Sequence, residues 1–256
     1  MTLIIGHRGA SALAPENTLA AFERAVVDQA DGIEFDVQLS RDEAPVVIHD
    51  ARLVRTANLA RAVSELTLEE LQRLEVGSWF NRKFPRRART AYKEERLPTL
   101  QDVFDFYATR KGQLYLEMKC AGSRCDALVE KCLELIHENS FAKRTVVECF
   151  DLSALSRLKK LDSRVRTAAL FGPRLKQPAS LLERMAMLNR ALDCGADEVA
   201  LHHKLITRRI VDRAGQLRLP CVVWTVDNPR WVERAKDLGL KALITNNPAK
   251  MRSVET

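Results

Sequence analysis

The sequence predicts an α/β fold, a closed parallel TIM (β/α)8 barrel with a small insertion after the second barrel strand. Three observations lead there. Short apolar runs alternate with longer helical patterns through nearly all of the 256 residues. Eight of these runs qualify as staves. Charged residues cluster toward the C-terminal ends of several runs, the end at which such barrels carry active sites. About 250 residues is an ordinary length for one such unit, so 1–256 is read as a single domain. An open doubly wound sheet is the alternative, but the Gly-rich phosphate loop that such sheets often carry is missing.

The first strand, 3–7 ("LIIGH"), runs into Gly6-His7-Arg8-Gly9. A helix over 17–29 follows, with Asn17 or Thr18 as its cap. The second strand is 32–37 ("GIEFDV"), and "APVVIHD" at 44–50 comes after only a short turn around Arg41 and Asp42. A parallel crossover takes a dozen residues or more, so this pair is an antiparallel hairpin standing on the second stave. A turn centred between 41 and 42 puts His49 near Glu34. Residues 51–97 break the strand–helix rhythm and, with the hairpin, form a rim insertion over about 39–97, with a helix near 67–75. Strands at 114–118, 145–149, 165–170, 197–201, 221–225 and 241–244 complete the barrel. Helices at 99–110, 123–139, 151–162, 180–194, 204–217 and 228–238 lie between and around them.

A hydrophobic content of 46% with 29% charged residues is ordinary globular composition. No stretch approaches the roughly 20 apolar residues of a membrane span. Leu3, Ile4 and Ile5 run at once into His7-Arg8, too short for a signal-peptide core, so the expected compartment is the cytoplasm. Cys120, Cys125, Cys132, Cys149, Cys194 and Cys221 contain no C-x-x-C pair and are read as reduced core thiols. The net charge of +7 is local: seven basic and two acidic residues from Arg82 to Arg96 put +5 there and leave +2 elsewhere. That distribution speaks against a nucleic-acid partner. The segment is either a solvated loop or a patch that attracts anionic substrate or a membrane surface.

Side chains alternate faces along a strand. Ile33, Phe35 and Val37 therefore pack outward under the helices, while Glu34 and Asp36 point into the barrel. Glu117 and Lys119 share a face in "LYLEMK". Three carboxylates aimed at one mouth call for positive charge between them. A hard divalent cation, Mg²⁺ or Ca²⁺ with Mn²⁺ also suited, is one source; separate ion pairs with Lys119, Arg8 or other bases are the other. His7 and His49 reach the same mouth, where two imidazoles serve as a general base and a general acid near neutral pH. Arg8 and Lys119 hold an anion, the guanidinium fork matching phosphate oxygens. His202-His203 is read as a surface or capping pair, and His137 as structural without an evident partner. Trp224 is core or rim by its place at a strand end.

"GHRGASALAPENTLAAF", "GIEFDVQLSRDEAPVVIHDARLVRT", "VGSWF…RLPTLQDV", "LYLEMK" and "VVWTVD" together resemble the glycerophosphodiester phosphodiesterase family, in that family's order and over nearly the whole chain. The resemblance implies a TIM barrel, one divalent metal on Glu34, Asp36 and Glu117, and His7 and His49 as the acid–base pair. It also implies phosphate binding by Arg8 and Lys119, with Trp224 lining the substrate side. Three loop positions depart from the family pattern. Glu43 replaces the glycine of the hairpin turn, Thr56-Ala57-Asn58-Leu59 replaces Thr-Thr-x-Gly, and Gln29-Ala30-Asp31 replaces Gly-Ala-Asp. The expected reaction is hydrolysis of a small-molecule glycerophosphodiester to sn-glycerol 3-phosphate and an alcohol, with His7 preferred as base and His49 as acid. Two rivals remain: a phospholipase-type activity on lysolipids, for which "WFNRKFPRRARTAYK" would form a membrane-facing lip, and a non-catalytic phosphate-binding barrel.

Overall fold

A computed structural model describes residues 1–120, 122–173 and 180–254. In chain order its strands and α-helices are β1 (Leu3–His7), α1 (Leu19–Val27), β2 (Gly32–Leu39), β3 (Pro45–Val47), α2 (Val54–Ala57), α3 (Leu68–Gln72), α4 (Ser78–Lys83) and α5 (Leu100–Tyr107). There follow β4 (Gln113–Met118), α6 (Cys125–Glu138), β5 (Thr145–Cys149), α7 (Leu152–Leu161), β6 (Arg166–Phe171), α8 (Leu181–Asp193) and β7 (Glu198–His202). The chain closes with α9 (Arg208–Gln216), β8 (Cys221–Trp224), α10 (Arg230–Leu238), β9 (Ala242–Thr245) and α11 (Pro248–Arg252).

Strand order is β1-β9-β8-β7-β6-β5-β4-β2-β3, and β1 also pairs with β2. That last pairing, with Ile5 opposite Gly32 and His7 opposite Glu34, closes eight parallel staves into a barrel and rules out the open sheet. β3 lies outside the ring, antiparallel to β2, with Val37 opposite Val47 and Gln38 opposite Val46. The register is one residue off a turn centred between 41 and 42. Every expected stave is present, with ends shifted by one or two residues.

Two apolar layers follow from the alternation of side chains. Ile5, Tyr115, Val146, Ala168, Leu170, Ala200, Val222, Ala242 and Ile244 fill the barrel interior. Ile33, Phe35, Val37 and Leu116 face outward and pack against α1, α5 and α6 residues such as Phe22, Phe104 and Leu133. Large side chains buried in this way contribute about 1.5–3 kcal/mol each, enough to fix the register of every stave. At the N-terminal end the Tyr115 hydroxyl donates to Glu198 at 3.0 Å, and Lys241 pairs with the same carboxylate, so the buried charge there is satisfied. Threonines and serines cap the helices: Thr18 for α1, Thr67 with Glu70 for α3, Thr99 with Asp102 for α5 and Ser180 with Glu183 for α8.

The insertion has a core of its own. Val46, Ile48, Leu53, Val63, Leu66, Leu71, Val76 and Leu97 pack together beneath it. Trp79, Phe80 and Tyr92 join Ala14 and Ala21 to seat it on the loop between β1 and α1, where the Tyr92 hydroxyl donates to the Leu13 carbonyl at 3.0 Å. These aromatics are turned inward, which removes them from the expected membrane-facing lip: their burial stabilises the insertion, and the basic side chains are left outside. No helix among the described residues is long and apolar enough to cross a membrane.

Two sequence readings need correction. Cys120 and Cys125 are not reduced thiols but a disulfide, with Cα atoms 4.7 Å apart. A 3-10 turn over Gly122–Arg124 leads from the end of β4 into α6 and folds the first residue of that helix back onto Cys120. A search for C-x-x-C passes over this C-x4-C spacing. Cys132, Cys149, Cys194 and Cys221 are free and buried as expected. His137 does have a partner, Asp162, 3.0 Å away.

Candidate active site

β1 ends on His7, and the chain then turns sharply. Arg8 adopts φ 53° and Gly9 φ 78°. A Cβ on Gly9 would lie 2.6 Å from the Ala21 backbone, so only glycine lets the turn sit this close to α1. The reversal points the Arg8 N–H at Glu34, to which it donates at 2.9 Å. Asn17, also left-handed at φ 56°, donates its backbone N–H to the Arg8 carbonyl at 3.1 Å and its side-chain Nδ2 to Asp36 at 2.8 Å. Two left-handed non-glycine residues thus sit beside the buried carboxylates, a place where such strain commonly serves function.

The hairpin carries His49 over β2. The Ile48 N–H donates to the Asp36 carbonyl at 2.9 Å, and Gln38 Nε2 donates to the carbonyls of Ile48 and His49 at 2.9 and 3.0 Å. His49 Nδ1 lies 2.8 Å from Asp50, whose other oxygen accepts from Arg55 Nε at 2.6 Å. Arg55 reaches Glu16 at 2.8 Å, and Glu16 accepts from Arg8 at 2.8 Å. A continuous polar chain therefore joins the insertion's histidine to the barrel's arginine.

His7 is oriented from the opposite side. Asn246 donates its Nδ2 to Asp227 at 2.7 Å, which fixes its Oδ1 as the acceptor 2.7 Å from His7 Nδ1. Nδ1 then carries the proton, and Nε2 keeps its lone pair. Burial, reinforced by the Arg8 charge, pushes His7 down to about 4, so the imidazole is neutral at ordinary pH.

Glu34, Asp36 and Glu117 are all buried, and each offers an oxygen within 4.8 Å of the others. Lys119 Nζ lies 2.8 Å from Asp36 and also meets Glu117, while Arg8 Nε lies 3.1 Å from Asp36. Burial opposes the charge of Asp36, but Lys119, Arg8 and His49 outweigh it and hold this carboxyl far below its usual range. Its neighbours carry the cost. Burial and the Asp36 charge push Glu117 up to about 7 and raise Glu34 well above the ordinary carboxylate value. Three converging buried carboxyl groups form an all-oxygen donor set suited to a hard divalent cation, whose charge would let all three ionise together.

His7, Arg8, Glu34, His49, Glu117, Lys119 and Trp224 all line one cavity of about 210 Å³ at the C-terminal mouth; Asp36 sits behind them. The opposite wall is apolar: Phe150, Leu170, Ile244 and Trp224, whose indole N–H donates to the Ala200 carbonyl at 3.2 Å. His202 stands edge-on to Trp224 with ring centroids 5.2 Å apart, and its Nδ1 accepts from the Lys204 N–H, the capping role expected of it. Glu16, Asn17, Asp50, Arg55, Glu148 and Asn246 were not singled out by sequence reasoning. For Glu16 and Asn17 a signal existed in "PENT", read only as a helix start; Glu148 lies on the inward face of a stave, two residues before Phe150.

By fold and cavity this is a TIM-barrel enzyme with its chemistry at the C-terminal mouth. The profile of the glycerophosphoryl diester phosphodiesterase family matches residues 7–250. A glycerophosphodiester phosphodiesterase of Caldanaerobacter subterraneus is 33% identical over 96% of this chain and 95% of its own. One of Bacillus subtilis is 30% identical over 99% of this chain and 86% of its own. A phosphodiesterase of Oleispira antarctica, solved in complex with the product sn-glycerol 3-phosphate, superposes with a TM-score of 0.85 at 22% identity, covering 100% of this chain and 98% of that one. The chain belongs to the glycerophosphoryl diester phosphodiesterase family, and its activity is the hydrolysis of glycerophosphodiesters.

Proposed function

We propose that the protein hydrolyses a glycerophosphodiester to sn-glycerol 3-phosphate and an alcohol by acid–base catalysis between His7 and His49. The observation that carries this reading is their position: two histidines from separate elements flank one cavity that also holds Arg8, Lys119 and the carboxylate group. We take residues 1–256 as one domain, with 39–97 completing the mouth.

Arg8 and Lys119 bind the phosphoryl oxygens, and Trp224 supports the carbon skeleton. Neutral His7 removes a proton at Nε2 from the attacking hydroxyl, either water, which gives the monoester directly, or the neighbouring hydroxyl of the substrate, which gives a cyclic phosphate that water then opens. As the bond from phosphorus to the leaving oxygen breaks, His49 donates a proton to that oxygen, and Asp50, 2.8 Å from its Nδ1, orients the ring. Glu34, Asp36 and Glu117 would hold one divalent cation, which supplies positive charge against the phosphoryl oxygens and makes the attacking hydroxyl easier to ionise. The product named with the Oleispira structure supports sn-glycerol 3-phosphate as the product here.

The test is release of sn-glycerol 3-phosphate from glycerophosphocholine, with and without chelator. Chelation should abolish turnover, and Glu34→Gln should demand a much higher metal concentration. His7→Ala and His49→Ala should each lose roughly 10²–10⁴-fold in kcat while staying folded. Full turnover after verified metal removal, or either histidine variant within a few-fold of wild type, overturns the proposal.

A further inference from the structure

Glu148 has no part in the chemistry above. It lies on β5 opposite Glu117 of β4 and Ala168 of β6, and its side chain lines the cavity where the polar wall meets the apolar one. It is only 1% exposed, and its Oε2 has no hydrogen-bond partner among the described residues. Burying a carboxylate oxygen without a partner is costly, and native proteins seldom leave one so. The three carboxylates that converge within 4.8 Å do so without it.

A hydroxyl of the ligand, which both donates and accepts, can be the missing partner. With the phosphate at Arg8 and Lys119, an organic part laid along Trp224 and Leu170 would pass Glu148, which lines the same cavity. Two residues further along the same face, Phe150 is 48% exposed at the rim, so Glu148 marks the closed end of this wall. A cationic head group there would surrender its whole hydration shell, whereas a hydroxyl loses far less and supplies the donor that Oε2 lacks.

We propose that Glu148 is a specificity residue that accepts a hydrogen bond from a hydroxyl of the substrate's glycerol, selecting hydroxylated phosphoesters over plain alkyl ones. This rests on the glycerophosphodiester reading above. A site built around a buried acceptor discriminates against an analogue that leaves it unpaired.

The test is calorimetric binding of sn-glycerol 3-phosphate and of propyl phosphate, which has the same carbon chain without hydroxyls, in saturating Mg²⁺. Wild type should prefer the first by about 10–100-fold. Glu148→Met, similar in length but without an acceptor, should reduce that preference to within about threefold. Glu148→Gln, which keeps an acceptor oxygen, should retain most of it. Circular dichroism checks folding, and Glu148→Ala replaces the methionine variant if that one is unfolded. A preference that survives in the methionine or alanine variant, or that is absent from wild type, overturns the inference. Wild-type turnover of glycerophosphocholine is measured alongside. Turnover without the binding preference removes the role of Glu148 alone, whereas its absence with metal bound removes the functional reading as well.

Discussion

Asp50 is one residue away from His49 in the chain and 2.8 Å from its Nδ1, and Arg55 keeps it ionised against the effect of burial. That arrangement holds Nδ1–H of His49 against Asp50 and leaves Nε2 as the nitrogen for proton transfer, which acts as the acid when it too carries a proton. Asp50→Asn preserves size but removes the charge, so kcat should fall about tenfold or more with KM little changed, the direction expected when a histidine loses its orienting carboxylate. A nitrophenyl leaving group, which needs no acid, should recover most of the loss. An unchanged kcat would reduce the contact to a surface ion pair. At this scale the barrel-borne residues were legible because strand alternation fixes which way each side chain points: Glu34 and Asp36 had to face inward once Ile33 and Phe35 faced out. Glu16, Asn17 and Asn246 come from loops. No period sets direction there, and Asn17 reaches Asp36 only because its backbone is left-handed.

The elements show how local departures are absorbed. Gln29 and Glu43, standing where the family pattern has glycine, keep the left-handed backbone at φ 58° and 61°, and Asn58 does so at φ 53°. An ordinary side chain in that region costs roughly 1–2 kcal/mol from the clash of Cβ with the carbonyl. The turn at Glu43 tolerates it because its hydrogen bonds are made: Ser40 N–H to the Ala44 carbonyl at 3.0 Å, and Ala44 N–H to Ser40 Oγ at 2.8 Å. Glu43→Gly should therefore stabilise the protein by about 1 kcal/mol, offset in part by the greater entropy of glycine in the unfolded chain. Thermal melting should rise by about 2–4 °C with activity unchanged. A lower melting temperature would mean the glutamate makes a contact worth more than the strain. The hairpin itself was legible because only an antiparallel return fits so short a turn. The Cys120–Cys125 bridge was not, since it depends on a 3-10 turn that no hydrophobic period announces.

At the scale of the whole molecule, the eight staves were legible because each is an apolar run between helical patterns, while the seating of the insertion was not. The stretch from Trp79 to Tyr92 carries both aromatic and basic residues, and only tertiary packing decides which are buried. The aromatics are, and Arg86, Arg89 and Lys93 remain exposed beside the β1–α1 loop that bears Arg8. Arg87 differs from them, since it donates to the Ala12 carbonyl and helps hold the insertion in place. Exposed charge acts over a Debye length of about 8 Å at physiological salt, so these residues should influence capture of an anion rather than its chemistry. Replacing Arg86, Arg89 and Lys93 together by Gln, with Arg87 kept, should lower kcat/KM a few-fold for the anionic glycerophosphoglycerol and leave kcat nearly constant. Zwitterionic glycerophosphocholine should respond less, and both losses should shrink as salt is raised. Stopped-flow and steady-state rates at low and high ionic strength would check this. Losses independent of salt, or confined to kcat, would show that the segment shapes the mouth instead of attracting what enters it.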